Sequence, residues 1–359
     1  MRWIILGVCA IAAAYQLVAI VACIGHEVTR CARLASTPAI SILKPVRDFS
    51  PDVARAVRTH LAQEYSEFEI LLGVRGDTAV SFDDPRVRVV VCSTVTPNRK
   101  VGTLIDLARE ARHPILIVND ADIAVPDGYL HDVVAELAPP DTGLVTCLYR
   151  AESPNAAGRF EALGVATDFA PSALVAPFVG VSEFGLGSTL AFRRADLDRI
   201  GGFEAVADYL ADDYQLGCKL HGLGRRNVIA KPVVTTTLAP TSWRAAWSHQ
   251  VRWSRTVRLS RFGGYVGLPV TFATLWAVVA ATCGLPWIGL GLLAIRMTMA
   301  LTAGWFVAGS SDALKYFYLI PIRDLYTVAV WAAALFGNTV EWGGEILKLD
   351  SAGRIVGNK

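Results

Sequence analysis

Charge of one sign is not in excess here: 34 lysine and arginine residues against 32 aspartate and glutamate leave a formal net charge of +2 over 359 residues. A nucleic-acid partner is therefore not supported, since that class carries a pronounced basic surplus. Paired cysteines are lacking as well. The seven, at positions 9, 23, 31, 92, 147, 218 and 283, form an odd set without C-x-x-C spacing or a nearby histidine, which speaks against both a disulfide framework and a cysteine zinc site. Repeats and low-complexity tracts are also missing, so solenoids and disordered arrays fall away.

Apolar residues are plentiful. They make up 53% of the chain, and a mean hydropathy of +0.41 is high for a wholly soluble protein. Trp3 to Ile24 is 22 residues without a formal charge. At about 1.5 Å per residue such a helix crosses a hydrocarbon core of roughly 30 Å. A cleaved signal peptide has an apolar region of only about 7 to 15 residues. The lipobox-like Ile20-Val21-Ala22-Cys23 fits poorly with the further spans downstream. Residues 1–25 are thus expected to form a transmembrane helix. Arg30 and Arg33 follow it, against Arg2 and the amino terminus before it, and this bias puts the next domain in the cytoplasm.

Residues 36–240 alternate short apolar runs with helical stretches, which is α/β patterning. The runs predict strands at Ala39–Leu43, Phe68–Val74, Arg86–Val91, Ile115–Asn119, Gly143–Leu148 and Thr189–Phe192, with helices over Val53–Gln63, Val101–Arg112 and Leu130–Leu137. Residues 241–264 change character. Thr241 to Phe262 holds Arg244, Arg252, Arg255, Arg258 and Arg261 with no acidic residue, interleaved with Trp243, Trp247 and Trp253, as in helices lying on a lipid interface. Residues 265–340 read as about three spans, near 266–283, 286–306 and 316–337, and 341–359 as a tail. Arg323 and Asp324 beside the last span are expected to pair, because charge at that depth is costly.

Three acidic clusters stand in order within the soluble stretch. Asp77 lies in a loop. Asp120 and Asp122 follow the apolar run Ile115-Leu116-Ile117-Val118, at the strand end where open α/β sheets bind ligands. Asp212 and Asp213 open a helix. Each has a plainer reading: Asp and Asn form turns, and acids at a helix start favour its dipole. Taken together they are what moving a sugar from a nucleotide requires. One carboxylate holds base and ribose, an Asp-x-Asp pair holds Mg²⁺ or Mn²⁺ on the diphosphate, and a third takes the proton of the acceptor hydroxyl. In His249-Gln250-Val251-Arg252-Trp253, Arg252 offers a planar fork of donors to a diphosphate and Trp253 a face for the acceptor.

The set Asp77, Asp120-x-Asp122, Asp213 and Arg252-Trp253, between one amino-terminal and several carboxy-terminal spans, resembles family 2 and family 21 glycosyltransferases with a GT-A fold, ceramide glucosyltransferases among them. The hopanoid-biosynthesis glycosyltransferases of bacteria are similar through Ser41-Ile42-Leu43-Lys44-Pro45, Leu144 to Arg150, Thr167 to Pro171, Phe184 to Thr189 and Asp208 to Tyr214. What the resemblance implies is a Rossmann-like nucleotide-sugar domain. Asp77, Lys100, Asp212, His249 and Gln250 would contact the donor, Asp120 and Asp122 donor and metal, and Asp213, Arg252 and Trp253 would carry catalysis. The family pattern has Gln or Arg at 249, where this chain has His249 with Gln250 one place late. The implied reaction is an inverting, cation-dependent transfer to a membrane lipid at a bacterial inner membrane. The donor and acceptor would be UDP-N-acetylglucosamine and bacteriohopanetetrol, or UDP-glucose and ceramide. A processive polysaccharide synthase, a nucleotide-sensing transporter and a membrane-anchored nucleotide-sugar-binding module are the alternatives; few spans and no repeat argue against the first two.

Overall fold

The structure, a computed structural model, describes residues 2–29, 36–76 and 80–358. Asp77, Arg30, Arg33 and Cys31 lie outside the described residues. Seven strands form one sheet: β1 (Ile40–Pro45), β2 (Phe68–Val74), β3 (Val87–Val91), β4 (Ile115–Val118), β5 (Thr142–Glu152), β6 (Leu190–Arg193) and β7 (Arg226–Thr237), in the order β3-β2-β1-β4-β6-β5-β7. The first four are parallel, with Ile42 level with Ile70 and Ile117. β6 runs antiparallel to β4 and β5, and β7 parallel to β5.

β2 and β4 are buried along their whole length, as parallel strands covered on both faces must be. The helices Pro51–Leu61 and Tyr129–Leu137 seal one face through Val53, Val57, Leu130 and Val133. Arg99–Glu110 and Asp212–His221 seal the other through Val101, Leu104, Leu216 and Leu220. Local signals start these helices. Ser50 accepts from the Val53 N–H with Pro51 in the first turn, and Asn98 accepts from the N–H groups of Lys100 and Val101.

All six expected strands are present, and Phe68–Val74 keeps its bounds. β7 was not expected: it opens on Arg226 and Asn227 and contains Pro232, which normally argues against a strand. It lies at the sheet's edge, and the pairing with β5 shifts register between Cys147 and Tyr149, so the proline breaks no ladder.

Among the described residues three helices are long and apolar enough to cross a membrane: Arg2–Val28, Ala156–Val179 and Pro286–Val307. A fourth candidate is the pair Phe262–Thr271 and Ala273–Thr282, bent by 47°. The middle one, Ala156–Val179, was not foreseen; most of it is buried inside the protein. The stretch expected to span near 316–337 holds a helix of only 15 residues, Ile320–Ala334, about 22 Å long. The amino-terminal helix packs Ala12, Ala19, Ala22 and Cys23 against its neighbours, small residues of the kind that let helices approach in lipid.

The pairing of Arg323 with Asp324 is not what forms. Asp324 takes a bidentate grip from Arg296, whose Nε and Nη2 lie 2.9 and 2.5 Å from its two oxygens, while Arg296 Nη1 donates to Thr167 O at 2.9 Å. Arg323 turns instead to Gln250 Oε1 at 2.9 Å and to Phe160 O. Adjacent residues on a helix point about 100° apart, so neighbours in sequence are poor ion-pair partners.

Arg255 and Arg258, read as interfacial, donate to carbonyls of residues 335–339, the end of the last helix and the turn after it; they serve as its C-terminal cap. The described residues of the carboxy-terminal tail, through 358, carry strand structure. Strands β8 (Thr339–Trp342), β9 (Glu345–Leu349) and β10 (Ile355–Asn358) form an antiparallel sheet, and Val340, Leu347, Leu349 and Ile355 bury Leu210. Among the described residues the cysteines at 9, 23, 92, 147, 218 and 283 are unpaired.

Candidate active site

The carboxyl ends of β1 and β4 and the loop entering β6 meet at one edge, and there the acidic clusters converge. Lys44, at the end of β1, is fully buried; its ammonium donates to the carbonyls of Asp120, Ala121 and Ile123 at 3.1, 3.4 and 3.2 Å. Three carbonyls on one ammonium hold the turn after β4 in a fixed shape, which aims Asp120. Burial brings the Lys44 amine down to about 7, opposed by Asp122 and Asp120. Asn119 completes the turn: buried, it donates to Ser188 O at 2.7 Å and so ties β4 to the loop before β6.

Lys100 rises from the first turn of Arg99–Glu110 and places Nζ 2.7 Å from Asp120 and 3.4 Å from Asp212. Burial alone would push this ammonium down, but Asp120, Asp212 and Asp213 outweigh it and hold it above the usual lysine range. Asn98 fixes the geometry. Besides capping the Lys100 helix, its amide donates to Tyr209 O at 2.8 Å and to Asp212 at 3.3 Å. Asp212 is itself buried, pinned between Asn98 and Lys100.

Asp213 faces the other way. Its Oδ2 accepts from the Gly187 N–H at 2.9 Å and its Oδ1 from the Tyr214 N–H at 2.7 Å. Burial first, then the Asp212 charge, raises the Asp213 carboxyl to about 6, against the pull of Lys100. That is a suitable range for a general base working near neutral pH. A Cβ on Gly187 would sit 3.2 Å from Asp213 Oδ2, 3.4 Å from Asp120 Oδ2 and 3.6 Å from Lys100 Nζ. The missing side chain thus leaves an open cradle between two carboxylates and an ammonium.

Asp120 and Asp122 do not behave alike. The Asp120 side chain is 44% exposed, whereas Asp122 Oδ2 accepts from the Thr236 hydroxyl and from the Thr237 N–H at the end of β7. Among the described residues no group of three or more His, Cys, Asp or Glu side chains converges on one metal position. Two aspartates from one turn, beside an open cradle, still suit a hard cation that takes its remaining ligands from a diphosphate and water. In that sense the donor set fits Mg²⁺ or Mn²⁺ shared with a bound nucleotide.

The second half of the site is built on the helix Trp243–Ser260, capped by Ser242. His249 Nδ1 meets the carboxylate of Glu161, which is 4% exposed, and the imidazole lies against the Trp253 ring with centroids 4.7 Å apart. Trp253 packs with Tyr149 and Phe169 on Ala151, Ala162 and Val165. Tyr149 links the two halves: burial raises its phenol, and the charges of Asp213, Asp120 and Glu161 all reinforce that. Arg252 is half-buried, and that burial lowers its guanidinium, with Glu161 opposing. Gln250 lies apart from these groups, on Arg323.

Of the residues singled out from sequence, Lys100, Asp120, Asp212 and Asp213 come together, and His249, Arg252 and Trp253 form a second group on one helix, linked to the first through Tyr149. Glu161 was missed, although a lone acid in the apolar run 156–167 is a usable signal. So was the carboxy-terminal sheet. Arg99 pairs with Glu345, and the backbone of Gly353 and Ile355 bonds Leu210 and Asp208, so this sheet braces the segment that leads into Asp212 and Asp213.

Comparison with known proteins gives four matches. The profile of glycosyl transferase family 21 matches residues 4–355. Ceramide glucosyltransferase 1 of Caenorhabditis elegans is 24% identical over 207 residues, 54% of this chain and 44% of that protein; the match spans less than half of that relative's length. Ceramide glucosyltransferase 3 of the same organism is 22% identical over 354 residues, 90% of this chain and 75% of that one. Among solved structures, the mannosyltransferase PcManGT from Pyrobaculum calidifontis, in complex with GDP-Man and Mn²⁺, superposes with a TM-score of 0.53 at 19% identity, covering 93% of this chain and 99% of that chain. At that identity the likeness speaks for the fold, which is the GT-A type.

Proposed function

This chain belongs to glycosyl transferase family 21 and is a glycosyltransferase; from that premise we propose that it transfers a sugar from a UDP-sugar to a hydroxyl of a membrane lipid, with inversion. The observation that carries the reading is the Asp213 carboxylate, held by the Gly187 N–H beside the Lys100–Asp120 pair, in a chain whose described residues hold three to four candidate spans. The favoured donor is UDP-N-acetylglucosamine and the acceptor a hopanoid of the bacteriohopanetetrol type. Glucosyl transfer to ceramide is the second reading, supported by the names of both relatives. The enzyme would sit in a bacterial inner membrane with the catalytic domain on the cytoplasmic side.

Asp213 takes the proton of the acceptor hydroxyl as that oxygen attacks C1 of the sugar. The bond from C1 to the diphosphate oxygen breaks on the opposite face, and its electron pair leaves with UDP, so one in-line displacement inverts the anomeric centre. Lys100 and Arg252 stabilise the charge that grows on the leaving group, and Trp253 with Tyr149 walls the acceptor side. A divalent cation held by Asp120 and Asp122 would supply further neutralisation of the diphosphate.

UDP release by the purified protein in detergent tests this, with UDP-N-acetylglucosamine or UDP-glucose, each with bacteriohopanetetrol or ceramide. Release that depends on one lipid identifies both substrates. Release that is the same without lipid removes the lipid-acceptor reading.

A further inference from the structure

We infer that Glu161 is a positioning residue for catalysis: its buried carboxylate fixes His249, beside Arg252, as a donor aimed at the departing diphosphate. This rests on the proposed UDP-sugar reaction. Glu161 lies on the helix Ala156–Gly164, with its carboxyl 4% exposed. A carboxylate so far from water needs strong partners. It meets His249 Nδ1 directly, and its charge acts on Arg252. His249 and Arg252 are three residues apart on the helix Trp243–Ser260, hence on one face.

The geometry has a chemical consequence. Nδ1–H donates to Glu161, which fixes the ring with Nε2 directed away from the buried carboxylate, and it is as the imidazolium that Nε2 also carries a proton to donate to the diphosphate. The Trp253 ring 4.7 Å away stops the imidazole from turning. The His249 side chain is 29% exposed, so it keeps an open side. Tyr149, whose phenol responds to Glu161 as well as to Asp213 and Asp120, packs with Trp253 and so joins the two groups. Glu161 is neighboured on its other side by Arg323, which donates to Phe160 O and to Gln250 Oε1. That arginine ties the backbone of the Glu161 helix at Phe160 to the helix Ile320–Ala334.

The test is a double-mutant cycle of Glu161→Gln and His249→Gln, reading kcat and the donor KM of the full-length protein under saturating lipid, with thermal unfolding alongside. Glutamine at 161 keeps the shape and removes the charge; glutamine at 249 donates through its amide without needing a carboxylate behind it. Glu161→Gln should lower kcat about 10- to 100-fold, the scale of lost orienting partners, with donor KM within about threefold. The same change made in the His249→Gln background should cost less than about threefold, because the histidine it orients is gone. An unchanged kcat for Glu161→Gln, or equal losses in both backgrounds, would overturn the assignment. A fall in unfolding temperature with kcat intact would make Glu161 structural only. Failure of the wild type to transfer sugar at all would count instead against the reaction proposed above.

Discussion

Acid should switch this enzyme off with a midpoint set by Asp213. Burial and the adjacent Asp212 carboxylate raise the Asp213 carboxyl to about 6. As a base it works only when ionised, so in the free enzyme about nine-tenths of it is active at pH 7 and about one-tenth at pH 5. An ordinary aspartate would still be about nine-tenths ionised at pH 5. The two cases therefore differ by close to tenfold at a pH where the fold can be checked independently. The assay is kcat/KM for the lipid acceptor across about pH 4.5 to 8, which reports the free enzyme, with far-ultraviolet circular dichroism at each point. Because Lys100 opposes the rise, Lys100→Met should carry the midpoint upward by about one unit or more, whatever it does to the plateau. A midpoint at or below about 4, or a Lys100→Met profile shifted downward, would refute the reasoning.

Other perturbations follow from particular contacts. Gly187→Ala places a methyl 3.2 Å from Asp213 Oδ2 and 3.4 Å from Asp120 Oδ2, and should weaken UDP-sugar binding by at least about tenfold, roughly 1.4 kcal/mol, with little change in unfolding temperature; calorimetric titration reads both. Asn98→Ala removes a helix cap worth about 1 kcal/mol and leaves the Tyr209 carbonyl unpaired at about 1–3 kcal/mol, so it should lower stability and donor affinity together in denaturation and binding curves. Arg296→Met strips a partner from Asp324 between helices where the arginine is 4% exposed. A loss of about 3–5 kcal/mol is expected from thermal unfolding in detergent, and pairing it with Asp324→Leu should restore part of that.

Much of the catalytic domain was legible because its signals are local. Apolar runs such as Phe68–Val74 and Ile115–Val118 fit only buried strands, and the helix expected from Val101 forms, starting two residues earlier at Arg99. β7 was hidden by Arg226, Asn227 and Pro232, residues tolerated there because the strand is at the edge and shifts register against β5. The sheet β8–β10 was hidden because its strands are four or five residues long and are stabilised by packing on Leu210, a contact that no local pattern reports. The site was legible as acids in order, but not as a geometry. Nothing in the chain says that Asp122 leans on Thr236, that Gln250 turns to Arg323, or that Asp324 prefers Arg296 across 28 residues to the arginine beside it. Those choices are made by the tertiary fold. Glu161 is the instructive case: an acid in an apolar helix is visible from sequence, but its partner, 88 residues away, is not.

The most direct test is Asp213→Asn, assayed for sugar transfer to lipid and for UDP-sugar binding in the same preparation. The amide keeps the shape but cannot accept the hydroxyl proton. Transfer should fall by about 10²- to 10⁴-fold, with donor affinity within about threefold of the parent. Near-normal transfer by this variant would contradict the assignment of Asp213 as the base.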